Sequence, residues 1–138
     1  FKGALSNQST IMFEELNHPL EINFLNLESK DSKAELYVFD YFEKLGFSIK
    51  RFYFLKGSQS GIRGNHKHVN CFQIIVAINN SSTIVLKGIE HKEYTYTLIP
   101  FKNAVVVPLN YKIELMLEKD SICLALASDT FENTITIN

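Results

Sequence analysis

Cysteine is scarce in this 138-residue chain, and the two present, Cys71 and Cys123, each lie in an apolar run. Two thiols make no disulfide framework, so they read as small core residues of a protein expected in a reducing compartment, the cytoplasm. Long hydrophobic runs are missing as well. Nothing approaches the roughly 20 apolar residues of a membrane helix, and the first residues show no cationic stretch leading into an apolar core. Neither membrane insertion nor export is expected. An excess of one charge is also lacking: the net charge is −1, which argues against a general nucleic-acid binder, since that needs a basic stripe to displace counterions from many phosphates. Arginine is the rarest base. Of 14 basic residues only Arg51 and Arg63 are arginines, and both lie close in sequence to His66 and His68. Arginine suits bidentate contact with phosphate or carboxylate; the alternative is two arginines on sheet edges with no ligand to hold.

What the chain does have is apolar content, 46% of its residues, enough for one buried core in a length too short for two ordinary domains. From Leu36 onward, short segments rich in Val, Ile, Phe, Tyr and Thr alternate with turns containing Gly, Asn, Ser or Lys. That rhythm belongs to a β-sandwich or barrel. It predicts strands at 36–39, 48–55, 63–69, 72–78, 83–87, 93–98, 104–107, 113–118 and 122–127. Between Glu93 and Leu98, apolar and polar residues alternate, the mark of a sheet with one wetter face. Residues 73–78 and 122–127 are apolar at nearly every position and are expected to be covered on both sides. Residues 1–30 read as an N-terminal extension with a short helix at 11–16 ahead of Pro19, and 31–138 as the single domain. Residue 1 is Phe rather than Met, consistent with a piece of a longer polypeptide.

The segment from Gly61 to His68 enters an apolar strand. In extended backbone, residues two apart project from one face, so His66 and His68 are expected to point together; if that face is the interior, they reach the mouth of the barrel, where small-ligand pockets form. Three uses stay open for such a pair: metal ligation, proton transfer, or hydrogen-bonded packing. A neutral imidazole, with its ordinary pKa of about 6.5, both accepts and returns a proton near neutral pH.

Ile49-Lys50-Arg51-Phe52-Tyr53-Phe54, then Arg63-Gly64-Asn65-His66-Lys67-His68 with Gln73, resembles the sugar-nucleotide 3,4-ketoisomerases of the WxcM-like cupin family. The late strand Leu124-Ala125-Leu126-Ala127-Ser128 and Val105-Val106-Val107-Pro108 match the family as well, so the likeness spans roughly residues 31 to 132. The resemblance implies an all-β fold, an antiparallel cupin-type barrel of the RmlC-like jelly-roll kind behind a short irregular or helical N-terminal segment. It implies an enzyme that moves the keto group of a dTDP-linked 4-oxo-6-deoxyhexose between C4 and C3, in the biosynthesis of unusual deoxysugars for surface polysaccharide. His68 would be the base and His66 its partner as proton donor or orienting group. Tyr53 and Gln73 would bind the hexose or the enediol oxygens, Arg63 and Arg51 the pyrophosphate. Tyr111 and Lys112 stand where the family has a tryptophan and a following base, a position the resemblance links to the stereochemistry at C4.

Metal-binding cupins follow His-x-His with a glutamate and a later histidine. This sequence has Gln73 and Ile113 at those places, so no metal and no other cofactor is expected. The resemblance also implies a homodimer, with N-terminal strands exchanged between subunits as one form of it, and an aminotransferase or acetyltransferase as fusion or pathway partner. Two other readings remain open: a non-catalytic sugar-nucleotide binding module, and a related cupin epimerase. The departures are Val69 in place of a lysine after the second histidine, and the ending Phe131-Glu132-Asn133-Thr134-Ile135 in place of an acidic, tyrosine-rich one.

Overall fold

The computed structural model describes residues 16–28 and 33–137, without the side chains of Asn65, His66 and Ile89. Apart from Leu16, the helix expected at 11–16 lies outside the described residues. In chain order, β1 (Leu20–Asn23), β2 (Leu25–Glu28) and β3 (Glu35–Val38) precede a one-turn helix, α1 (Phe42–Leu45). Then come β4 (Arg51–Lys56), β5 (Gly61–His68), β6 (Gln73–Ala77), β7 (Ser82–Lys87) and β8 (Glu93–Leu98). β9 (Asn103–Val107), β10 (Lys112–Leu117), β11 (Ile122–Ala127) and the two-residue β12 (Thr136–Ile137) complete the order.

All nine expected strands form. Eight of them join β1 and β12 in two five-stranded antiparallel sheets, one ordered β1-β9-β6-β11-β4 and the other β12-β5-β10-β7-β8, while the ninth, β3, pairs only with β2. The chain changes sheet at nearly every connection from β4 to β11, which is the jelly-roll path of two interlocked Greek keys. The two sheets face each other as a sandwich, and among the described residues hydrogen bonds do not close them into a barrel, an arrangement compatible with the expected jelly roll. The sheet structure starts before residue 31, because β1 pairs with β9 from Leu20 opposite Val106 to Asn23 opposite Asn103.

One apolar cluster fills the space between the sheets and includes Ile75, Ile84, Leu86, Leu98, Leu115 and Leu117. A second lies on the outer side of the first sheet, where Leu45, Phe47 and Tyr41 from the α1 region pack on Ile74, Ala104 and Val106. β6 and β9 therefore have both faces covered, which is why they carry no alternation. β11 departs from expectation. Its inward residues Cys123, Ala125 and Ala127 are buried, but the outward Ile122, Leu124 and Leu126 are only partly so, because the second cluster thins out toward β4.

Candidate active site

β4 alternates strictly between half-buried and exposed positions, so Arg51, Tyr53 and Leu55 face the space between the sheets while Phe52 and Phe54 face out. Opposite the three inward residues β11 supplies Ala127, Ala125 and Cys123. Arg51, Tyr53 and Leu55 line a cavity of about 510 Å³, of a size usual for small-ligand sites.

The facing wall is β5, and its alternation contains a phase shift. Ile113 of β10 pairs with His66 but Glu114 pairs with Gly64, so Asn65 is an extra residue with no partner, a β-bulge. Gly64 has φ +105°, and a Cβ there would lie 2.3 Å from the carbonyl oxygen of Ile113. Only glycine fits. Regular alternation would put Arg63 and His68, five residues apart, on opposite faces. The bulge restores the phase, and both line the cavity.

Within the cavity the Tyr53 hydroxyl donates to Gln73 Oε1 at 2.9 Å. Burial pushes the Tyr53 phenol above its ordinary pKa, an effect that nearby Arg51 and the Gln73 hydrogen bond oppose, so the group is neutral and a donor at physiological pH. Gln73 is 1% exposed, and its Nε2 has no hydrogen-bond partner among the described residues. The Arg51 guanidinium lies 5.0 Å from the Tyr53 ring centroid and 5.7 Å from that of Phe131, with Nη2 donating to Thr134 Oγ1 at 3.4 Å. Its Nε is likewise buried and without a partner among the described residues. Two guanidiniums and two unused buried donors, with no carboxylate in the described lining, make a site for an anionic, oxygen-rich ligand.

His68 is half-buried on the cavity wall, and its Nδ1 lies 3.0 Å from Thr136 Oγ1 on β12. The backbone of His66 sits two residues earlier on β5, and its side chain falls outside the description. The structure thus brings together Arg51, Tyr53, Arg63, His68 and Gln73. It does not bring Tyr111 and Lys112 to the cavity. Tyr111 is buried in the inter-sheet core, its hydroxyl donating to the carbonyl of Asn17 at 2.6 Å. Lys112 precedes the inward Ile113, so alternation turns it to the outer face with Lys87 and Glu114. Sequence reasoning missed Phe131 and Thr136, because the polar terminal segment has no periodicity to announce a lining role. It also missed the bulge, although Gly-Asn inside a strand pattern is its usual signal.

The WxcM-like, C-terminal family model, FdtA, matches residues 20–137. The chain belongs to this family. Among solved structures, a mutant of the 3,4-ketoisomerase QdtA from Thermoanaerobacterium thermosaccharolyticum, in complex with TDP-4-keto-6-deoxyglucose, is 23% identical. It covers 88% of each chain with a TM-score of 0.73. WlaRA, a TDP-fucose-3,4-ketoisomerase from Campylobacter jejuni, is 21% identical over 85% of this chain and 87% of its own, with a TM-score of 0.71. The rmlC epimerase of Mycobacterium tuberculosis is 15% identical over 86% of this chain and 68% of its own, at 0.69. No curated protein matches the chain. At these identities the likeness establishes the cupin-type, RmlC-like jelly roll of this WxcM-like protein.

Proposed function

We propose that this WxcM-like protein is a sugar-nucleotide 3,4-ketoisomerase acting on a dTDP-linked 4-oxo-6-deoxyhexose. The observation that carries the reading is His68 on the wall of a cavity that also holds two arginines and the Tyr53–Gln73 pair. The C4 ketone acidifies the hydrogen on C3. His68 removes that proton, O4 gains one, and the enediol forms; O3 then loses its proton as C4 receives one, leaving the ketone at C3. Every proton removed is replaced, so no redox partner is required. Tyr53 and the Nε2 of Gln73 offer hydrogen bonds to the two oxygens as their charge changes, and Arg51 and Arg63 meet the pyrophosphate. His66 acts beside His68 as proton donor or orienting group, and Lys112 and Tyr111 bear on C4 stereochemistry only if substrate binding rearranges the start of β10. The similar 3,4-ketoisomerase structures and the basic described lining, which holds no carboxylate, support this assignment. We place the enzyme in the cytoplasm, without metal, as a homodimer in deoxysugar synthesis for surface polysaccharide, with an aminotransferase or acetyltransferase as pathway or fusion partner.

Incubation with a thymidine-diphosphate 4-oxo-6-deoxyglucose in deuterated water, followed by NMR, tests the reading. The expected result is deuterium at C4 with the ketone at C3. In the His68→Asn variant turnover falls by about a thousandfold or more while TDP binding is retained. Unchanged substrate with bound nucleotide would sink the isomerase reading in favour of a binding module.

A further inference from the structure

The last described residues form a strap that is built against the residues following His68. Val69 N donates to Ile135 O at 3.1 Å. The Asn70 side chain donates to Asn133 O at 2.7 Å and accepts from Ile135 N at 2.8 Å. Thr134 N and its hydroxyl both reach Thr130 O, at 3.0 and 2.7 Å, closing the turn ahead of β12. These bonds set Thr136 directly opposite His68 in register, where its hydroxyl meets Nδ1 at 3.0 Å. A segment this short and polar has little apolar burial of its own to hold it, so its specific side-chain hydrogen bonds decide where it lies.

We propose that Thr136 is a positioning residue for His68: its Oγ1 accepts from Nδ1–H, which makes Nε2 the basic nitrogen of the ring. The inference rests on His68 acting as the base in the proposed isomerisation. A hydroxyl can donate or accept, so geometry alone leaves two tautomers. The reaction chooses between them. If the hydroxyl donated to Nδ1, Nε2 would carry the proton and could not take another from C3. With Nδ1–H as donor, the same hydrogen bond survives when Nε2 is protonated, and the ring keeps its orientation through both proton transfers. It also favours the imidazolium, because a donor carrying charge makes the stronger hydrogen bond. Among the described residues the charged and titratable groups sharing the cavity with His68 are Arg51 and Tyr53 on β4 and Arg63 on β5, and the described lining from β6, β10, β12 and Phe131 adds none. His66, two residues before His68 on β5, is a further titratable group whose side chain lies outside the description.

The test uses the full chain, 15N-labelled, with two-bond 1H–15N correlations of the His68 ring in wild type, Thr136→Val and Thr136→Ser, alongside pH profiles of kcat/KM on the same keto sugar nucleotide. Wild type and Thr136→Ser are expected to show the Nδ1–H tautomer. In Thr136→Val that preference is lost, kcat falls about tenfold with KM changed less than about twofold, and the acid limb of the profile moves to lower pH. An Nε2–H tautomer in wild type overturns the proposal even if no variant folds well. So does Thr136→Val with an unaltered tautomer and pH profile. An inactive wild type that keeps the Nδ1–H tautomer supports the positioning and overturns the isomerase reading.

Discussion

Tyr53 shows how much a single cavity residue has to reconcile. Its ring packs under a guanidinium, its hydroxyl donates to the Oε1 of a buried glutamine, and burial raises its pKa above the ordinary 10.0. Because the folded-state pKa is raised, the unfolded chain gives up this proton first. The contribution of Tyr53 is therefore fully present below pH 10 and declines as pH rises toward the folded-state value. Tyr53→Phe strands Gln73 Oε1 in the interior, so at neutral pH it is expected to destabilise by about 1–3 kcal/mol. Above pH 10 the gap to wild type narrows, since only the wild type now resists ionisation at this site. Urea midpoints for the two proteins between pH 7 and 11 give the answer, and a gap that widens with pH would contradict it. Such a role was half visible beforehand. An aromatic residue next to Arg51 in an alternating strand can be placed on the inward face from sequence, but the hydrogen bond to Gln73 joins two strands whose neighbourhood only the fold reveals.

At the scale of elements, the β5 bulge is what makes a site out of side chains that sequence could only collect. Composition and turn spacing place the nine strands, because their branched and aromatic residues favour pleated, buried or half-buried surfaces. They do not reveal β1, whose four residues follow Pro19, nor β12, whose two residues carry no pattern. Strict alternation also misreads any strand with an extra residue. Arg63 and His68 were grouped on family resemblance, and the physical reason they share a wall is Asn65, together with a positive φ that Gly64 alone tolerates. Gly64→Ala would force a methyl group into the Ile113 carbonyl. The expected cost is about 2–3 kcal/mol, with weakened TDP binding as Arg63 and His68 fall out of phase. Denaturant unfolding and calorimetric titration with TDP measure both. Wild-type values on both counts would show that the bulge neither limits residue 64 nor aligns the wall.

For the whole molecule, the question is what becomes of the first sheet's outer surface beyond the reach of α1. Over β9 and β6 the second apolar cluster covers it; at β11 the cover is partial, and at β4 Phe52 and Phe54 are 62% and 59% exposed with their rings edge to face at 6.1 Å. β4 is also the end strand of its sheet, so its outer backbone edge pairs with no other strand among the described residues. An exposed aromatic pair on an open edge is a surface that soluble proteins rarely leave bare. A second copy meeting it about a twofold axis would cover both aromatic pairs at once, because a twofold interface presents the same patch from each side. Exchange of N-terminal strands is compatible with this, since the register β1 occupies on β9 could be filled equally by a partner's β1. Light scattering is therefore expected to give twice the 15.8 kDa of one chain. Phe52→Ser with Phe54→Ser should shift the mass toward the monomer while leaving circular dichroism unchanged, as both side chains lie outside either core cluster. A wild type that is monomeric at tens of micromolar, or a double variant still fully dimeric, would remove this face from the interface.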